Sequence, residues 1–133
     1  MNPQDCRYTE LKNGIHEFVF LTDDKAGADV LIAGLERLFE TYSVNDMLRI
    51  IIDFHKPKNP PTLYTFRQAV QMFQRYPEHP YMRAANIYNQ GFIIGTLKMY
   101  TSILRQDRKN ARQFFPATDR NKAISWLLES PNP

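Results

Sequence analysis

A single cysteine, Cys6, stands in the 133 residues, so neither an internal disulfide nor a multi-thiolate metal site can form. No histidine lies near it in sequence, and a thiol close to the start of the chain reads as incidental rather than nucleophilic. The three histidines, His16, His55 and His79, show no metal-ligand spacing. No metal or cofactor is therefore expected. No apolar run approaches the roughly 18 residues that a membrane-spanning helix needs. The opening "MNPQDCRYTE" has neither the basic start nor the apolar middle of a signal peptide, so a cytoplasmic location is expected. Internal repeats, low-complexity tracts and long linkers are also missing. Residues 1–133 thus read as one domain with its core over about 7–130.

What is present is a chain 43% hydrophobic and 13% aromatic, too apolar for a disordered segment and long enough to bury a core. Its formal charge of +3 is unevenly placed: residues 1–47 carry −5 and residues 48–133 carry +8. Such polarity suits an anionic partner, or a homodimer in which an acidic face meets a basic one.

Strand-like and helix-like segments alternate. "IHEFVFLT" (15–22) is rich in β-branched and aromatic residues, and "RYTELKNG" (7–14) can pair with it through a turn at Asn13-Gly14. In "DDKAGADVLIAGLERLFETYS" (23–43), Leu31, Leu35, Leu38, Phe39 and Tyr42 recur at the helical period, with Asp23 and Asp24 suited to the first turn. "LRIIIDF" (48–54) carries three consecutive isoleucines, the pattern of a strand buried on both faces. "TLYTFRQAVQMFQRY" (62–76) repeats Leu63, Phe66, Ala69, Val70 and Phe73 at helical spacing, with Thr62 as N-cap. "RAANIYN" (83–89) reads as a strand, "GFIIGTLKMYTSILRQD" (91–107) as a helix, and "ARQFFP" (111–116) as a short strand. "TDRNKAISWLLES" (118–130) reads as a last helix, capped by Thr118 or Asp119, with Ala123, Trp126 and Leu127 inward. This alternation forces crossover connections, giving an α/β fold with a four- to five-stranded, mostly parallel sheet and helices packed on it.

The distal half, "AANIYNQG", "GTLKMYTSIL" and "ARQFFPATDRNKAISWL", resembles the closing region of STAS domains of the sporulation-antagonist kind. It is most similar to the bacterial branch linked to both the STAS and CRAL-TRIO lipid-binding families. The matching features are Phe114-Phe115, a short polar turn, Ala123 and Trp126-Leu127, and the order of elements fits over roughly 15–130. The resemblance implies a STAS-like fold and a regulatory module that binds a protein partner or a small ligand. Phospho-switched members of that family carry a hydroxyl after the central strand in an Asp-Ser-Ser-Gly-Leu-like motif. Here "DFHKPKNPPTLYTF" keeps Asp53 and Thr62, lacks Ser-Ser-Gly, and inserts a Lys- and Pro-rich loop.

Asp53 and His55, two residues apart, can share a face as an acid–base pair. With no nucleophile, Gly-rich turn or further acid alongside, the structural reading outweighs it: Asp53 accepts backbone N–H bonds while His55 faces solvent. Lys56 and Lys58 beside Thr62 can form an anion site at a helix N-terminus. The neighbouring junction is Asn89, Gln90 and Gly91, and in parallel sheets ligands sit beyond the carboxyl ends of strands. The expected ligand or partner site is therefore His55, Lys56, Lys58, Thr62, Asn89, Gln90 and Gly91, with no catalytic residue assigned. The ligand expected there is a protein partner or a small anionic or amphipathic molecule. The alternatives are a small hydrolase or transferase using Asp53 and His55, and a nucleic-acid-binding protein using the basic half. In that half Lys98, Arg105, Arg108, Lys109, Arg112, Arg120 and Lys122 interleave with aromatics, but without a recognisable nucleic-acid motif. Met72, Tyr76, Tyr81, Met82 and Tyr88 suit either a lipid-accepting pocket or helix–sheet packing.

Overall fold

Five strands form one sheet in the order β1-β2-β3-β4-β5, each beside its neighbour in sequence. The computed structural model describes residues 5–22, 25–57, 63–89 and 109–129. The strands are β1 (Cys6–Glu10), β2 (His16–Phe20), β3 (Met47–Asp53), β4 (Tyr81–Tyr88) and β5 (Asn110–Pro116). β1 runs antiparallel to β2, and β2 through β5 are parallel. The helices among the described residues are α1 (Lys25–Thr41), α2 (Leu63–Arg75) and α3 (Arg120–Leu128), the last preceded by a 3-10 turn at Ala117–Asp119. The helix expected over 91–107 and the caps Asp23, Asp24 and Thr62 lie outside the described residues.

Alternation along the strands divides the core between two faces. Phe18, Phe20, Leu48, Ile50 and Met82 point toward α1 and α2 and pack with Leu31, Leu35, Phe39 and Met72. Ile51, Ala85 and Ile87 point the other way and pack with Ile15 and with Ala123 and Leu127 of α3. The triple isoleucine of β3 thus serves both layers, as its unbroken apolar run implies. Complete burial of each such side chain contributes about 1.5–3 kcal/mol. α1 lies so close to β2 that a Cβ at Gly34 would stand 2.5 Å from the Phe18 ring, which is why the helix carries glycine there.

The structure refines four expectations. The hairpin does turn at Asn13-Gly14, with Gly14 at a positive φ of 84°. The Gly14 N–H donates to the Leu11 carbonyl at 3.0 Å while Leu11 N–H donates to Ile15 at 2.8 Å, a three-residue loop with glycine in the left-handed position. Cys6, close as it is to the start of the chain, is buried in β1 opposite Phe20, where burial, and secondarily Asp5, push its thiol up to about 12. In α2 Phe66 is buried and Ala69 and Phe73 pack against the core, as expected, but Leu63 is 37% exposed, and Thr65 and Met72 are buried as well. Asp119 holds the N-cap position of α3 without a side-chain cap bond, and Thr118 is not the cap. Asp119 faces Lys122 at 3.9 Å instead.

Candidate functional site

The parallel strands β2 to β5 end together, and β3 passes at Asp53 into the lysine- and proline-rich connection. Phe54 N–H still donates to the Ile87 carbonyl of β4 at 2.9 Å, so the ladder holds one residue past the strand. The Asp53 side chain is 7% exposed. Its Oδ1 accepts the His55 backbone N–H at 3.0 Å and the His55 Nδ1–H at 2.5 Å. Its Oδ2 lies 3.8 Å from Arg120 Nη1 at the start of α3, and Arg120 Nη2 donates to Glu17 of β2. A carboxylate can only accept, so His55 carries its proton on Nδ1 and leaves Nε2 as an acceptor in the neutral ring. That ring is 36% exposed, beside the exposed Lys56. Asn89, just beyond β4, donates its Nδ2–H to the His55 carbonyl at 3.2 Å.

Of the residues expected to form the site, His55 and Asn89 are therefore joined directly and Lys56 is adjacent. Lys58, Thr62, Gln90 and Gly91 lie outside the described residues. The expected loop role of Asp53 holds, but its carboxylate also grips the imidazole, a contact that the spacing permits and does not dictate. Arg120, one of the basic residues weighed for nucleic acid, is the cation between two acids. Sequence spacing could not find it, because Glu17, Asp53 and Arg120 come from three separate elements.

Other members of the basic half are also engaged in the fold. Arg49 Nε donates to the Leu127 carbonyl at 2.7 Å, and Arg83 Nη1 donates to those of Trp126 and Glu129 at 2.9 and 3.0 Å. The two guanidiniums, opposite one another across β3 and β4, complement the negative end of α3, and Arg83 also stacks over Trp126. Arg112 sits on the helix-facing side of β5, where burial draws its pKa down. Lys98, Arg105 and Arg108 are outside the described residues.

A second polar cluster went unread in the sequence. His16, 3% exposed, is sandwiched between two tyrosine hydroxyls, with Nδ1 2.7 Å from Tyr8 and Nε2 2.6 Å from Tyr42. In the neutral ring one nitrogen donates to one hydroxyl and the other accepts from the second. Burial lowers the His16 pKa, opposed by Glu10, and raises those of both tyrosines. Separations of 8 and 26 residues leave no local signature of this cluster.

Between the sheet and the first two helices lies a cavity of about 80 Å³. Met72 and Met82 line it, as the lipid-pocket alternative required, but Tyr76, Tyr81 and Tyr88 are not among its lining residues. Tyr76 instead donates its hydroxyl to Glu40 at 2.9 Å. Drug-sized ligands occupy roughly 300–1,000 Å³, several times this volume. Among the described residues no group of three metal-ligating side chains comes together, and no helix is long and apolar enough to cross a membrane. Comparison with protein-family models, with curated proteins and with solved structures finds no match.

Proposed function

We propose that the chain is a non-enzymatic binding module of STAS-like type that recognises an anionic group, carried by a protein partner or by a small ligand, at the edge formed by His55, Lys56 and Asn89. The observation that carries this reading is the hydrogen bond from Asn89 to the His55 carbonyl, which ties the segments beyond the ends of β3 and β4 into one surface. Asp53 fixes the imidazole on that surface and Lys56 supplies charge. The edge lies at the carboxyl ends of parallel strands, where open α/β sheets bind ligands. The resemblance of the distal half to sporulation-antagonist-like STAS domains supports a regulatory role. Thr62 and Lys58 extend the same edge in sequence and belong to the proposed site, as do Gln90 and Gly91.

Titration of the labelled full chain with inorganic phosphate and, separately, with an acidic peptide tests this reading. Saturable shifts centred on His55, Lys56 and Asn89, reduced in Lys56→Glu, are expected. Shifts centred elsewhere, or none with either probe, would overturn it.

A second reading draws on the 2.5 Å Asp53–His55 contact, which is the orientation a general base requires. On that reading the chain is a small hydrolase or transferase, and any turnover found must vanish in His55→Ala. The nucleic-acid reading draws less support, since Arg49, Arg83 and Arg120 are committed to intramolecular partners.

A further inference from the structure

The helix-facing side of β4 carries an oddity. Met82, Ala84 and Asn86 all point into the cavity beneath α1 and α2. Ala84, together with Ala69 of α2, leaves space that the surrounding phenylalanines and leucines do not fill. Asn86 brings a carboxamide with two donors and an acceptor into this apolar wall. The Asn86 side chain is half-buried rather than enclosed, so its amide is within reach of a molecule entering the cavity. The Thr65 hydroxyl, from the first turn of α2, lines the same space. So does Arg112, which lies opposite Ala84 and diagonal to Asn86 across the β4–β5 ladder.

A donor-rich amide, a hydroxyl and a guanidinium converge on a space that is otherwise hydrocarbon. The volume of about 80 Å³ sets the size. Water takes roughly 30 Å³ per molecule in the liquid, so the cavity admits two or three waters or an organic molecule of about four to six heavy atoms. We infer that this cavity is a binding site for a short-chain carboxylate, whose oxygens take the Asn86 N–H groups and the Thr65 hydroxyl beside Arg112 while its alkyl end packs against the apolar wall. The site lies on the α1/α2 face of the sheet and does not depend on the reading of the His55 edge.

The test uses the full chain, labelled for amide and methyl spectra and titrated with acetate, propionate, butyrate and octanoate at matched ionic strength. Propionamide and 1-butanol serve as neutral probes. Propionate or butyrate is expected to give saturable shifts at Thr65, Ala69, Met72 and Ala84, whereas octanoate is excluded by size. Propionamide is expected to bind at least about tenfold more weakly, because bonds to a charged acceptor are the stronger ones. Asn86→Leu is expected to weaken propionate binding about tenfold or more with little change in Tm, since it removes the amide donors and keeps the volume. Should that variant not fold, Ala84→Val fills the space and is expected to abolish binding. No saturable response to any carboxylate would mean that the cavity holds water only and would sink the proposal. An equal response to propionamide or 1-butanol, or an Asn86→Leu variant with unchanged affinity, would overturn it as an anion site.

Discussion

Two histidines divide the polar chemistry of this sheet between them. His16, at the start of β2, has both ring nitrogens occupied by tyrosine hydroxyls and almost no exposed surface. His55, just past the end of β3, has one nitrogen held by a buried carboxylate and the other left open on a partly exposed ring. The residue type is the same, but the surroundings assign opposite roles. A ring satisfied on both sides fastens β1, β2 and the end of α1 together. A ring held on one side only leaves Nε2 open to something outside the chain, an acceptor in the neutral ring and, once protonated, the N–H donor that an anion requires.

The largest effect that sharpens this contrast is expected at Arg120. Arg120→Met leaves Glu17 and Asp53 with their charges uncompensated in a mostly buried setting, and should cost about 2–4 kcal/mol, read as a lowered denaturation midpoint. His16→Leu should cost about 1–3 kcal/mol, because two tyrosine hydroxyls lose their partner. The pH dependence has a definite sign. Burial lowers the His16 pKa below its ordinary 6.5, so the unfolded chain binds the proton more readily than the folded one. The stability associated with a neutral His16 is therefore complete above about pH 6.5 and declines as the pH falls from there toward the lowered folded-state value. Glu10, Asp46, Arg37 and Arg49 are the charged groups acting on this cluster. Denaturant melts at pH 7.5 and pH 5.5 should show the loss in the natural chain, and His16→Gln should lack that component of it.

Gly34→Ala should cost about 1–3 kcal/mol by forcing the Phe18 ring aside, a purely steric effect that leaves both histidines unchanged. The smallest stability effect belongs to His55→Ala, within about 0.5 kcal/mol, because the ring is partly exposed and Asp53 still accepts the backbone N–H. The same variant should lose the response to phosphate or acidic peptide that the natural chain shows. A variant that unfolds readily, or one that binds unchanged, would erase the contrast with His16.

The layers of the fold were legible because their signals are local. The three isoleucines of β3 and the 3.6-residue stripe of α1 each follow from a few neighbouring residues. The face of α2 was legible in Phe66, Ala69 and Phe73, but the burial of Thr65 and Met72 was not, because α1 shares the helix through Phe39 against Phe73 and Tyr76, which periodicity alone does not reveal. The burial of Cys6 was not legible because a strand near the start of the chain is held by a pairing with Phe20 that no local pattern announces. At the candidate edge, Asp53, His55, Lys56 and Asn89 were legible from the strand-end rule. Arg120 and Glu17 were not, since an ion pair between β2 and α3 depends on sheet order. Asn86 carried a faint signal, as a carboxamide in a strand of otherwise core-like character.

The claim at the centre of this account is that Asp53 fixes the His55 ring with Nε2 outward. Long-range proton–nitrogen correlation spectra of the imidazoles read this directly at a pH where the ring is neutral. The His55 signals should show a protonated Nδ1 and an unprotonated Nε2, a pattern lost in Asp53→Asn. A natural chain with the proton on Nε2, or with the two tautomers averaged as in a free imidazole, would contradict the claim.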